Sequence, residues 1–363
     1  MREQLARGLV NTLIDAKAEG DRARRDALLD QLRALARDYP DDAAMREPLA
    51  RALVNTLVDA KAGDDLARRD ALLDELRALA RDYPDDAAVR EPLASVLAKT
   101  LVDAEAEGDL ARRDAMLDGL RALARDYPGD AAVREPLAQG LFIMLLDAKA
   151  EDDLARRNAL LDELRALART HPDDAAVREL LASGLSDTLN DAKAEGDLAR
   201  RDALLDELRA LARTHPNDAA VREQLAVGLL NTLHHAKAED DLARRDALLD
   251  ELRALARTFP DNAAVSLRLA IGLFNKLRHA KAEGDLARRD TLLDELRALP
   301  RAFPDDAAVH ERLAGGLFAS LNDAKAEDDL ARRDTLLDEL RALARTFPDD
   351  AAVRTLLMTA QKS

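Results

Sequence analysis

Six histidines are the only side chains whose ordinary pKa lies near neutrality, and His235 and His279 recur 44 residues apart with His234 beside the first. Helices in contact run about 8–10 Å apart, so His235 and His279 would share a metal ion only by reaching towards one another. No cysteine and no ordered carboxylate set completes such a site, so all three are read as surface histidines. His171 and His215 stand before a proline where other segments carry Tyr or Phe, which marks them as packing residues. His310 replaces an arginine and is expected on the surface. Paired acids such as Asp64-Asp65 and Asp85-Asp86 suit acid–base chemistry, but they sit where helices begin and serve as caps and dipole partners. Arg68-Arg69 would suit phosphate, yet Asp70 and further acids follow, which reads as a solvated, ion-paired face. No Gly-rich phosphate loop, nucleophile elbow or HExxH occurs. Without a convergent titratable set the chain is read as no enzyme, with no metal and no cofactor.

What positions these residues is a repeat. The prolines Pro40, Pro84, Pro128, Pro172, Pro216, Pro260, Pro304 and Pro348 follow one another at 44 residues without a gap. Eight units cover residues 1–352, and residues 353–363 begin a ninth, with Gln361 where every complete unit has Leu, as in a partial cap. Positions are counted from Met1, Met45, Val89 and so on. The segment LARRDALLDELRALAR stands unaltered at 66–81, 198–213 and 242–257. Leucines at positions 22, 28, 29, 32 and 35 lay one apolar stripe along this second helix, B, with Asp ahead of it and Pro behind. The first helix, A, carries Leu at 5, 9 and 13. Its start is open, because Pro48, Pro92 and Pro136 at position 4 would not suit a helix interior. Either A begins at positions 1 to 3 in those units or it bends there.

Two helices joined by a few residues make an antiparallel hairpin that cannot bury its own stripes, so the units must stack. The pattern resembles the tetratricopeptide-repeat superfamily. The resemblance rests on Leu49-Ala50 with Leu53, on the small pair Ala71 and Ala78, and on the closing turn Pro84-Asp85-Asp86. The unit is longer than that family's 34 residues. The HEAT and armadillo range includes 44, but the Pro and Asp or Arg signatures of those families do not recur consistently. The expected fold is all-α, a right-handed solenoid of eight antiparallel hairpins, tetratricopeptide-like, with HEAT-like as the runner-up.

The units vary on helix A at positions 4, 7, 10, 11 and 14. Positions 4, 7, 11 and 14 fall within about 80° of one another on the side away from the leucines. The resemblance implies that this face lines a ligand groove. Position 7 gives Arg7, Arg51, Ser95, Gln139, Ser183, Val227, Ile271 and Gly315. Position 11 gives Asn11, Asn55, Lys99, Ile143, Asp187, Asn231, Asn275 and Ala319. Position 14 gives Ile14, Val58, Val102, Leu146, Asn190, His234, Arg278 and Asn322, and position 10 adds Phe142, Phe274 and Phe318. Asn has both donor and acceptor for an extended backbone, and apolar groups on a solvated strip mark a partner site. Drift among duplicated units is the rival reading. Against it, the charges of helix B (Arg24, Arg25, Asp30, Arg33 and their equivalents) are also expected to be exposed and scarcely vary, unless cross-unit ion pairs hold them.

A formal charge of −16 disfavours nucleic acid and an anionic membrane surface. The N-terminal segment is amphipathic rather than a signal peptide, and LFIMLL at 141–146 is too short to span a bilayer. The chain is therefore expected in the cytoplasm as a non-catalytic scaffold that binds a protein or an extended peptide along helix A. Homo-oligomers through the solenoid ends, and a role as the repeat segment of a larger signalling protein, are the alternatives.

Overall fold

The computed structural model describes residues 2–62, 65–238, 242–282, 285–303 and 306–362; Asp64 and Pro304 lie outside them. The A helices are α1 (Arg2–Ala18), α3 (Ala43–Ala62), α5 (Ala87–Glu107), α7 (Ala131–Ala150), α9 (Ala175–Ala194), α11 (Ala219–Ala238), α13 (Ala263–Ala282) and α15 (Ala307–Ala326). The B helices are α2 (Arg22–Asp38), α4 (Leu66–Asp82), α6 (Leu110–Asp126), α8 (Leu154–Thr170), α10 (Leu198–Thr214), α12 (Leu242–Thr258), α14 (Leu286–Ala302) and α16 (Leu330–Thr346), and α17 (Ala351–Lys362) follows. Among the described residues there is no strand, and no helix is long and apolar enough to cross a membrane. The fold is the tandem array of helical hairpins that the repeat predicts.

Local chemistry sets the boundaries. Asp65, Asp109 and Asp153 cap their B helices by accepting from the backbone N–H three residues on, at about 3 Å. Each B helix ends on an aromatic or histidine whose N–H donates to a leucine carbonyl, as Tyr83 does to Leu79. Asp86 and Asp130 cap α5 and α7. At the A-to-B turn the backbone is left-handed: Gly108 has φ 72°, and Asp152 holds the same unit position at φ 59°.

From α3 onward the A helices therefore begin two residues before position 1, which places the prolines inside them. Pro48, Pro92 and Pro136 are each the sixth residue of a helix that continues past them. Each lacks the N–H that would bond to the carbonyl four residues back, which frees the carbonyls of Ala44, Ala88 and Ala132.

The chain forms two compact units, residues 1–180 and 181–363. Within the first, α1, α3, α5 and α7 lie side by side, and α2, α4 and α6 each pack against the A helix that follows. Within the second, α11, α13, α15 and α17 repeat this layer, with α10, α12, α14 and α16 against it. An inner A helix thus meets neighbours on several sides and buries positions 1, 5, 6, 9, 13 and 16, as Val89, Leu93, Ala94, Leu97, Leu101 and Ala104 show. Helix B is peripheral and buries chiefly 28, 29 and 32. Leu at position 22 does not join that stripe: Leu66, Leu110 and Leu154 sit in the first turn, 40–51% exposed. Ala71, half of the small pair, is exposed too. In α17, Val353 and Ala360 are buried and Gln361 is exposed.

Two charged positions overturn the expected surface. Arg69, Arg113, Arg157, Arg201, Arg245 and Arg289, all at position 25, are buried. Arg25 bonds Asp59 at 2.6 Å, Arg113 bonds Asp147 at 3.2 Å, and Arg289 lies 3.5 Å from Asp323, each acid standing on the A helix of the next unit. Position 24 pairs with position 26 of the preceding unit, as Arg112 with Asp70 at 2.7 Å. Arg33 makes a fork with Glu75, and Arg121 another with Glu163. Helix B is constant because its charges join units. Its contrast with helix A therefore does not separate a binding face from drift.

His310 corrects the other expectation. It is buried and stacks on Phe347 with centroids 3.5 Å apart. The arginines it replaces do the same work: Arg46 lies 3.7 Å over the Tyr83 ring, and Arg222 lies 3.9 Å over Phe259. Arg90 adds a bond to the Pro84 carbonyl and another to Asp130. His171 serves as a helix C-cap and meets Arg134 at 3.3 Å, in keeping with its packing role.

Candidate binding groove

Each A helix offers the rest of the molecule its leucine-lined sides and keeps the opposite strip open. Positions 7, 11 and 14 are half-buried or exposed in all eight units. In the first compact unit this strip runs over Arg7, Asn11 and Ile14 of α1, Arg51 and Asn55 of α3, Ser95, Lys99 and Val102 of α5, and Gln139, Ile143 and Leu146 of α7, with Phe142 half-buried at its border.

Two cavities lie along it. One, about 490 Å³, is lined by Ile14, Glu47, Arg51, Val54, Asn55, Ala88, Glu91, Pro92 and Ser95. The next, about 390 Å³, is lined by Glu91, Ser95, Ala98, Lys99, Val102, Ala132, Glu135, Pro136, Gln139 and Ile143. They share Glu91 and Ser95, and eight lining positions recur one unit further on (3, 7, 10, 11 and 44 of one unit with 3, 4 and 7 of the next), while Ile14 belongs to the first cavity alone and Val102 and Ile143 to the second. Arg7, Asn11, Phe142 and Leu146 flank these cavities rather than line them.

The variable strip leaves out position 3, yet Glu47, Glu91 and Glu135 line the cavities, together with Ala88 and Ala132; Pro92 and Pro136 at position 4, which the strip includes, line them too. A signal existed in the triplet Arg-Glu-Pro at 46–48, 90–92 and 134–136. Position 3 is Glu in every unit but the seventh, so variation between units does not mark it. Glu3 and Glu47 are tied to Arg7 and Arg51 on their own helices, at 2.8 and 3.5 Å. Among the described residues Glu135 meets the neutral amide of Gln139, at 3.4 Å. Glu91 and Lys99 enter no ion pair among the described residues.

In the second compact unit the same positions engage one another. Ser183, Asp187, Asn190, Val227, Asn231, Ile271 and Asn322 are half-buried, and Phe318 borders α15 in the same state. The His234 ring bonds Asn275. The Phe274 ring lies against Gly315 so closely that a Cβ there would meet Cε2 at 3.0 Å, and Arg278 stands 6.0 Å over that ring. Phe274 thus takes up space that is open between α5 and α7. His279 is half-buried, and the side chain of His235 lies outside the described residues, as does any shared site with it. Among the described residues no three His, Asp or Glu groups are gathered to hold a metal.

One carboxylate at a unit junction departs far from its ordinary pKa. Burial first, and then a hydrogen bond with Glu105, push Asp147 up to about 7. It stands on α7 at the Arg113 junction and lines neither groove cavity.

No family model and no curated protein matches the chain. Among solved structures, the P58(IPK) TPR domain is similar at 15% identity and TM-score 0.27, covering 98% of this chain and 97% of that one. A human IFIT1 dimer with PPP-AAAA is similar at 14% identity and TM-score 0.32, covering 99% and 80%. An IFIT1 monomeric mutant with Gppp-AAAA stands at 13% identity and TM-score 0.33, covering 98% and 82%.

Proposed function

We propose that the chain is a non-catalytic binding scaffold that holds an extended peptide, or a flexible segment of a protein, along the open strip of α1, α3, α5 and α7. The observation that supports this reading is the pair of adjoining cavities in which eight lining positions recur from one unit to the next. A ligand with a regular backbone meets the same chemistry at each step along such a surface. Its floor is apolar (Val54, Ala98, Val102, Ile143), and its walls carry Asn55, Ser95, Lys99 and Gln139, which can donate to or accept from a peptide backbone. Repeat arrays present long surfaces of this kind because each unit adds one copy of the face.

The test begins with peptides selected from a random library on the intact chain. Their affinity is then measured for Val102→Ser/Ile143→Ser and for a control, Asp74→Ser/Asp118→Ser, on the B helices. Both acids of the control are more than 70% exposed. Loss of about tenfold or more in the groove variant alone, with unchanged helical circular dichroism, is the expected result. Equal affinity for the wild type and the groove variant rejects the groove.

A further inference from the structure

Three consecutive units, two to four, carry Glu-Pro at positions 3 and 4 of helix A; no other unit has this pair. The proline is costly inside a helix, since it forfeits a hydrogen bond and leaves a carbonyl without its donor. In the units of Pro92 and Pro136 that carbonyl belongs to Ala88 and Ala132, which line the same cavities as Glu91 and Glu135. Each cavity wall therefore joins a carboxylate to a residue whose carbonyl receives no N–H from four residues on, because proline has none. Among the described residues Glu91 enters no ion pair, and Glu135 meets the Gln139 amide. Acceptors of this kind, over an apolar floor, suit a cationic head on an aliphatic stem.

Resting on the groove reading above, we propose that these Glu-and-carbonyl pairs receive the arginine or lysine side chains of an extended basic peptide. Neighbouring helices lie about 8–10 Å apart, and an extended chain rises about 3.1–3.3 Å per residue, so one basic residue in every three keeps step with the units. Between these anchors, Ser95, Lys99 and Gln139 meet the backbone. The formal charge of −16 favours the encounter at low salt. Later units lack the arrangement: position 4 is Leu180, Gln224, Arg268 and Arg312, and position 3 becomes Leu267 in unit seven.

The probe is a fluorescein-labelled peptide of about twelve residues with arginine at every third position, compared by anisotropy with one of identical composition whose arginines are contiguous. The spaced peptide binds more tightly to the intact chain. Glu91→Gln/Glu135→Gln weakens it about tenfold or more. Pro92→Ala/Pro136→Ala returns the missing N–H groups, so it raises the melting temperature and yet weakens the peptide about threefold. That opposition distinguishes a freed acceptor from a merely structural proline. Equal affinity for the two peptides, or affinity unchanged in either double variant, overturns the proposal. If the spaced peptide fails while library peptides without basic residues still depend on Val102 and Ile143, this inference falls and the groove stands. If no peptide depends on Val102 and Ile143, both fall.

Discussion

Asp147 retains its proton at pH values where a free aspartate has lost it, and one substitution between units is responsible. Elsewhere position 17 is lysine, and Lys17 bonds Asp59, the equivalent of Asp147, at 2.9 Å. Unit three has Glu105 there instead. Asp147 then faces Glu105 from α5, Arg113 from α6 and Glu151 at the C-cap of its own helix, and with Asp114 one buried guanidinium must serve four carboxylates. A folded-state pKa raised to about 7 means that the folded chain holds this proton while the unfolded chain releases it near 4. The junction therefore loses stability as pH rises from about 4 to about 7, and the loss levels off above that. Glu105→Lys removes the competing acid and supplies the missing cation. Its melting temperature should exceed that of the wild type by a margin that grows across this window and is constant above it. Thermal melts at several pH values check this; a margin independent of pH contradicts it.

At the scale of the element, helix B works as a set of rungs. Arg33, Arg121, Arg209, Arg253 and Arg297 each reach the Glu at position 31 of the next unit. Hydrogen bonding to Glu75 holds the Arg33 guanidinium above its ordinary pKa. Gly119 leaves one rung empty, and Arg77 turns to Asp74 and the Met116 sulfur. A Cβ at 119 would meet only the tip of Leu97, at 3.3 Å, and equivalent leucines already accommodate Glu elsewhere. Gly119→Glu should therefore stabilise by about 1 kcal/mol, most of it from helix propensity and the rest from the restored pair. Urea denaturation measures it. The turn from A to B offers a second case: Asp152 and Asp328 occupy left-handed backbone that Gly20, Gly108 and Gly196 fill without a side chain. Asp152→Gly should gain about 1 kcal/mol by relieving that conformation.

For the molecule as a whole, near-identity of units has a cost in folding. Helix B of unit two matches those of units five and six letter for letter, so a partly folded chain can satisfy its leucines and ion pairs with the wrong neighbour. Refolding yield should fall as protein concentration rises, with oligomers visible by light scattering. Complete single-step recovery at high concentration would show that the variable A helices are sufficient to set the register.

Much of this was legible in the sequence because it is local. Asp ahead of each helix, Pro behind it and Leu at fixed spacing act within a few residues, so the period, the hairpins and the leucine core follow from the chain alone. So does the openness of positions 7, 11 and 14, since a helix with leucines on one side turns those positions away from them. Other features depended on what stands opposite. Arg113 is charged and periodic with exposed neighbours, and only the approach of Asp147 from the next unit makes its burial tolerable. His310 was placed on the surface by analogy with arginine, yet Phe347 covers it. In the sequence Pro92 leaves helix A either starting at positions 1 to 3 or bending there; the tertiary structure carries the helix from Ala87 through Pro92 and sets the proline at a cavity wall beside Glu91. Spacing along a chain fixes which residues share a face. Which groups meet across two faces is decided only when the units stack, because burial and charge pairing depend on distances that one helix does not contain.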